Sequence, residues 1–331
     1  MPPRSLPGYG VAALFLLPLA AQANRYTIVD LGKSTFPTAV NTSRNVAGSM
    51  GRGNRQAAVW RGGHWHPLGG AYANGINGRG DVVGMLEGHP EIWPRREQRH
   101  AVDLPPGNQG GQANGIAQDR TLVGSYDIAT DQNHYRCFMT DPQGHTIDLG
   151  LIGSGTECVA LDVNGAHQVV GYASVSLGSY LQAFLWQDGR FMPLGVLPGG
   201  HSSQAQSINK HGDVVGSGTT SAPTGSHAIL WRQGEMRDIG ADAKYSSSTA
   251  LAISDAGDIV GYATAASDLS EHAVRFADGR IIDLAGEVED LEDWQLGQAW
   301  SVSNEGVIVG QGSRDDPQGR HEHGFMLVPL D

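Results

Sequence analysis

Histidine is the side chain with the most chemistry on offer near neutral pH, and in this chain it recurs at a fixed place. His89, His227, His272 and His323 each stand at the head of a short run of the HAILW type (227–231). A ring of imidazoles could hold a metal, but sister segments carry Gln56, Arg136 and Gln182 in the same slot. What these three residue types share is a hydrogen-bond donor, so the slot reads as a tie between strands or loops. Asp30, Asp103, Asp148, Asp238 and Asp283 recur in the same manner, each before a Leu or Ile, and read as turn caps.

Other clusters are weaker. His64-Trp65-His66 and His321-Glu322-His323 put two histidines on one face of a strand, which is half of a zinc site with no third ligand at diagnostic spacing. The acidic stretch Glu287, Glu289, Asp290, Glu292 and Asp293 lacks the alternating order of a calcium loop and reads as a solvated face. Arg79-Gly80-Asp81 spells an adhesion tripeptide, but Gly-Asp is also the ordinary turn ending at Gly212-Asp213 and Gly257-Asp258. Neither a G-x-S-x-G elbow nor an H-E-x-x-H helix motif is present. No catalytic residue, metal site or cofactor is therefore assigned, although a site assembled from separate repeats would leave no local motif.

The elements that carry these residues repeat seven times. A glycine closes a Val-Val-Gly-like segment at Gly48, Gly84, Gly124, Gly171, Gly216, Gly261 and Gly310, at intervals of about 36 to 49 residues. Ahead of it runs an Ala-x-x-Ile/Val phrase and a turn of the N-x-x-G form, as at Asn77–Gly80 and Asn209–Gly212. Asn can bond its own backbone two residues on, and Gly supplies a positive φ. Behind it come the HAILW-like run, a second tight turn such as Asp188-Gly189 or Asp278-Gly279, and a run ending in Asp-Leu-Gly or a relative. All four pieces are rich in β-branched and aromatic residues and bounded by turn formers, so they read as strands.

Four short strands per repeat is the pattern of a propeller blade. The last repeat stops after its third strand, while residues 26–32 (YTIVDLG) form an orphan fourth strand at the other end of the chain. Pairing the two completes the last blade and removes an exposed sheet edge. The expectation is an all-β, seven-bladed β-propeller with four strands per blade. Its blades lie near 33–69, 70–104, 105–150, 151–195, 196–240, 241–284 and 285–331, and strand 25–32 closes the ring. Blade 2 is the weakest, because Pro90 and Pro94 fall in its third strand.

The phrases INKHGDVVG (208–216), QAFLWQDGRFMPLGVLPGG (182–200) and HAILW (227–231) resemble the HAF-repeat family of bacterial exported proteins over essentially the whole chain after residue 24. The literal tripeptide His-Ala-Phe does not occur; His227-Ala228-Ile229, Gln182-Ala183-Phe184 and His323-Gly324-Phe325 come nearest. The resemblance implies an extracellular propeller-like array and brings no catalytic residues with it.

Composition sets further bounds. The 331 residues include 47 glycines and carry a formal charge of −12, with no basic cluster longer than Arg95-Arg96. That balance argues against nucleic acid or an acidic membrane surface as partner. Arg4, an apolar run from Val11 to Ala20 and Ala21-Gln22-Ala23 have the form of a secretory signal, giving a signal peptide at 1–23 and a single domain at 24–331. The run is too short to span a bilayer, so the expected product is a released, monomeric, periplasmic or extracellular protein. In an oxidising compartment Cys137 and Cys158 can pair, or each can fill a small buried slot, since Cys137 stands where other repeats carry alanine.

Function is expected where the repeats differ. Loops joining strand 2 to 3 and strand 4 to the next strand 1 emerge on one face and are long and irregular, whereas the opposite face has short turns. The long face gathers Tyr126, Asp127, His134, Tyr135, His201, Tyr245, Asp290, Asp293, Trp294, Arg314 and Asp315. Aromatics beside carboxylates suit contact with a protein, peptide or glycan. The expected role is a non-catalytic binding scaffold. The alternative is a propeller hydrolase or lyase acting on an extracellular polymer.

Overall fold

A computed structural model describes residues 25–128, 134–176, 180–221, 225–317 and 319–330. The signal peptide expected at 1–23 lies outside the described residues.

The strands form seven four-stranded antiparallel sheets. Six are built from consecutive strands; blade 5 shows the pattern, with Ser203–Ile208, Val214–Thr219, Ser226–Arg232 and Glu235–Asp238 in that order. The seventh takes Gln295–Val302, Ile308–Asp316 and Gly319–Pro329 from the end of the chain and Tyr26–Lys33 from its beginning. Tyr26 pairs with Pro329 and Lys33 with His323, so the N-terminal strand is the outer strand of the last blade. The described residues contain one short 3-10 helix, Leu284–Glu287. Blade 2 ends in a two-residue fourth strand, His100–Ala101, in keeping with the prolines ahead of it.

Each repeat glycine now has a cause. In every blade the first strand bulges by one residue, for example between Ala205 and Ser207 or between Ala250 and Ala252. The bulge presses a backbone carbonyl against the facing glycine. A Cβ at Gly216 would lie 1.9 Å from the Gln204 oxygen, and one at Gly84 would lie 2.0 Å from that of Tyr72. No side chain fits, so the glycine is required by close approach.

Three kinds of latch join neighbouring blades. The turn asparagines Asn41, Asn77, Asn164 and Asn209 accept two backbone N–H groups of their own turn through Oδ1. Their Nδ2 groups donate onward to the carbonyls of Asn77, Ala117, Asn209 and Ser254, the same position in the next blade. The second latch is a hydroxyl: Ser203, Ser248 and Thr35 accept from the N–H of Ala183, Ala228 and Gly324 and donate to the carbonyls of Gly195, Gly240 and Gly32. Between blades 3 and 4 the same two positions are Cys137 and Cys158, and there the latch is a disulfide. The third is apolar packing, with alanines such as Ala113, Ala160, Ala205 and Ala250 fully buried where blades meet.

The repeated histidines tie strand 3 to strand 4 within a blade. Their Nδ1 atoms meet Asp238 at 2.7 Å from His227, Asp283 at 2.8 Å from His272 and Asp30 at 3.0 Å from His323. Arg136 reaches Asp148 in the same way at 2.6 Å. In Asp148, Asp238 and Asp283 the other oxygen caps the turn that follows, and in Asp30 the same Oδ1 meets both His323 and the Gly32 N–H. Asp103 is a correction: register places Ala101 in the aspartate slot of blade 2, so His89 has no such partner and Asp103 lies two residues beyond. Blades 1 and 4 carry Pro67 and Pro193 in that slot and glutamine opposite, Gln56 and Gln182, so the two positions change together.

Candidate functional site

The seven bulges surround the axis, where they line a channel of about 210 Å³ that includes Asn74, Asn114, Leu161, Gln206, Leu251 and Trp300. Asp162 is the ionisable group of that lining. Burial holds its carboxyl above the usual range, although Ser207 and the Ile208 and Val163 N–H groups donate to it. These contacts consume the aspartate in joining blade 4 to blade 5.

A larger cavity, about 550 Å³, opens at the long-loop ends of blades 2 to 4. Blade 2 contributes Met85 and Gly88, and blade 3 contributes Gln109, Gly111, Gln112, Ser125, Asp127 and Tyr135. Glu157, Val159, Tyr172 and Leu181 of blade 4 complete the wall. Met85, Ser125 and Tyr172 hold one structural position, the residue after the repeat glycine, where the second strand leaves its contact with the bulge. Glu157 immediately precedes Cys158, so the disulfide pins the blade 4 wall to Cys137 of blade 3, two residues from Tyr135.

The electrostatics of this cleft are one-sided. Asp127 and Glu157 are both half-buried, and among the described residues no arginine, lysine or histidine lines the cavity. Burial raises the pKa of the Tyr172 phenol, and the nearby Glu157 and Tyr135 push it the same way. Tyr135 is 38% exposed, which leaves its ring available from the mouth.

Of the residues expected on the long-loop face, Asp127 and Tyr135 are brought together in this cleft. His134 adjoins Tyr135 and accepts the Ile128 N–H through its backbone carbonyl. His201 lies on the same face of the ring, its imidazole 4.2 Å from the exposed Tyr180 ring. Tyr126, Tyr245 and Trp294 are placed in the core instead, each under a tenth exposed. Burial, then the neighbouring Asp148, pushes the Tyr126 phenol up to about 12. Tyr245 packs between blades 5 and 6 beside His272, and Trp294 stands edge-on to His323 and Phe325. Their rings are spent on packing, the physical reason being that loop-end aromatics here fold back to cover the open ends of the blade interfaces.

Arg314, Asp293 and Asp315 also lie together, but in a closed ion network. Arg314 reaches Asp293 at 3.2 Å, Asp30 at 3.3 Å and Glu292 at 3.1 Å, while Asp315 holds Arg320 at 3.0 Å. Glu287 is fully buried against Arg275. Asp290 is exposed, with a φ of 50° in its loop. Glu287, Glu292 and Asp293 of the acidic stretch are thus paired with arginines. His64 and His66 stack at 4.5 Å, and each meets a backbone carbonyl of its own hairpin.

Sequence reasoning missed Glu157, Tyr172, Ser125, Gln109 and Gln112. The legible signal was the variable residue after each repeat glycine: Ser49, Met85, Ser125, Tyr172, Ser217, Tyr262 and Gln311.

These features define a closed seven-bladed β-propeller with a polar, acidic cleft on its long-loop face. No protein-family model matches the sequence, and no curated protein matches it. Among solved structures, the chain is similar to Pyrococcus horikoshii acylaminoacyl peptidase, with 12% identity and a TM-score of 0.56 over 90% of this chain and 52% of that one. It is similar to a Mycobacterium tuberculosis puromycin-hydrolysing peptidase at 13% identity and a TM-score of 0.55, over 93% of this chain and 52% of that one. The chain therefore spans about half the length of these proteins, and at such identity the likeness is one of fold alone.

Proposed function

We propose that this chain is an exported binding protein of the HAF-repeat type, whose ligand seats in the cleft between blades 2 and 4. The observation that carries the reading is the cleft itself. It is of ligand-binding size, it combines phenol rings, amides and carboxylates, and a covalent link pins its walls. Scaffold rigidity beneath variable loop-end residues is the arrangement that binding sites use. The disulfide supports export, because such bonds persist in oxidising compartments. The test is a peptide and glycan array probed with the protein and with Tyr135→Ala and Tyr172→Ala. Binding that both variants weaken at least tenfold supports the cleft, and binding indifferent to both removes it.

The hydrolase alternative draws on one feature, the two carboxylates Asp127 and Glu157 lining the same cavity. Its measure is turnover of the ligands that the array retains. Product formation that Asp127→Asn or Glu157→Gln abolishes without loss of binding would favour catalysis. A retained ligand recovered unchanged favours binding alone.

A further inference from the structure

The cleft's charge and its unsatisfied groups restrict the chemistry of what can enter it. Ion pairs elsewhere in the molecule show how readily this chain supplies a counter-charge: Asp81 has Arg120, Asp213 has Arg232, and Glu287 has Arg275. Asp127 and Glu157 are different. Among the described residues neither carboxylate has a hydrogen bond or an ion pair, and both are half-buried in the same cavity. Leaving a partly desolvated carboxylate without a partner is unfavourable, and a second one in the same cavity compounds the cost.

An independent feature points the same way. Ser125 is 4% exposed and lines the cavity on the same strand as Asp127, two residues before it. Among the described residues its hydroxyl makes no hydrogen bond, and its oxygen opens onto the cavity rather than into the packed interior. Ser125 therefore offers an acceptor to a group entering from the mouth. The phenol rings of Tyr135 and Tyr172 add electron-rich faces, and cations are attracted to such faces. Tyr172 lies close enough to Glu157 and Tyr135 to feel both.

Resting on the reading of this cleft as the binding site, we infer that its ligand presents an alkylammonium or guanidinium cation, held between Asp127 and Glu157 with its donors shared by Ser125. A lysine or arginine side chain of a peptide and a free polyamine carry the same chemistry, and the assay separates them. A neutral glycan would leave both carboxylates uncompensated.

The experiment is calorimetric titration of the protein with three probes: a tetralysine peptide, the same peptide acetylated on every side chain, and spermidine. Each is run at low and high salt, against Asp127→Asn, Glu157→Gln, the double variant and Tyr135→Ala. The two carboxylates make no contacts that the fold depends on, so these variants should melt as the parent does. The expected result is binding by tetralysine, spermidine or both, weakened about tenfold by each single carboxylate change and by salt, and absent for the acetylated peptide. Tetralysine without spermidine assigns a peptide; spermidine alone assigns a polyamine. Equal binding of the acetylated peptide, or tetralysine affinity unchanged in the double variant, overturns the inference. A neutral glycan from the array that competes only in the presence of Tyr135 would overturn the cation while leaving the cleft as the site. Indifference of every probe to Tyr135→Ala and to the double carboxylate variant alike would remove both.

Discussion

Gly216 lies in a second strand and Gly257 ends a turn, and the structure separates the two roles. At Gly216 an added Cβ would meet the Gln204 carbonyl at 1.9 Å, whereas Gly257 has open space around it and a φ of +94°. Gly216→Ala must move backbone and is expected to cost about 2–3 kcal/mol. Gly257→Ala strains only its own φ and is expected to cost about 1 kcal/mol. Urea unfolding of the two variants measures the difference, and equal losses would contradict the contact argument.

Two aspartates buried against arginines contribute to the acid behaviour. Burial alone would raise Asp81 and Asp213, but hydrogen bonds from Arg120 and Arg232, with those from Asn77 and Asn209, hold both carboxyls below their ordinary range. With the folded value depressed, the unfolded chain binds more protons through that interval, so stability rises with pH. The contribution is present above the unfolded carboxylate value of about 3.9 and is lost as pH falls through the folded one. Asp81→Asn and Asp213→Asn are expected to be less stable at pH 6 and to approach the parent in acid. Melting curves between those limits test this, and a constant gap would refute it.

At the scale of elements, the inter-blade latch is the informative unit. One position pair is filled by hydroxyl and amide in three interfaces and by Cys137–Cys158 in a fourth. Changing Cys137→Ala with Cys158→Ser should rebuild the hydroxyl latch, while Cys137→Ala with Cys158→Ala leaves none. The serine version is expected to exceed the alanine version by about 1 kcal/mol, though neither regains the parent's stability. The turn asparagine allows a similar dissection. Asn209→Asp keeps the acceptor for the His211 and Asp213 N–H groups and loses the donor to Ser254. It also sets a carboxylate beside Asp213, so it should destabilise by more than the single lost bond, about 2 kcal/mol or above. Denaturant midpoints read both series.

For the whole molecule, closure is the deciding contact. The strand Tyr26–Lys33 covers the eleven-residue strand Gly319–Pro329, buries Leu31 and accepts the Trp65 indole N–H of blade 1 at the Leu31 carbonyl. Deleting residues 26–32 bares that strand's edge and opens the ring. The expected outcome is a large fall in melting temperature with concentration-dependent aggregation; an unchanged melting temperature would mean that the ring holds without closure.

The sequence by itself determined the repeat count, the four-strand unit and the split last blade, because glycine contacts, turn asparagines and strand alternation are local requirements repeated along the chain. Even the His–Asp and Gln–Pro pairings were written in it, one slot changing with the other. The candidate cleft was not legible in that way. Asp127 and Tyr135 could be picked out as loop-end residues, but so could Tyr126, Tyr245 and Trp294, which the fold buries. Residues at equivalent loop ends differ only in whether they turn toward a blade interface or toward the cleft, and neighbouring blades decide that. Tertiary structure alone brought Glu157 and Tyr172 of blade 4 across to Ser125 and Asp127, which share one strand of blade 3, since residues of neighbouring blades meet only when the blades pack.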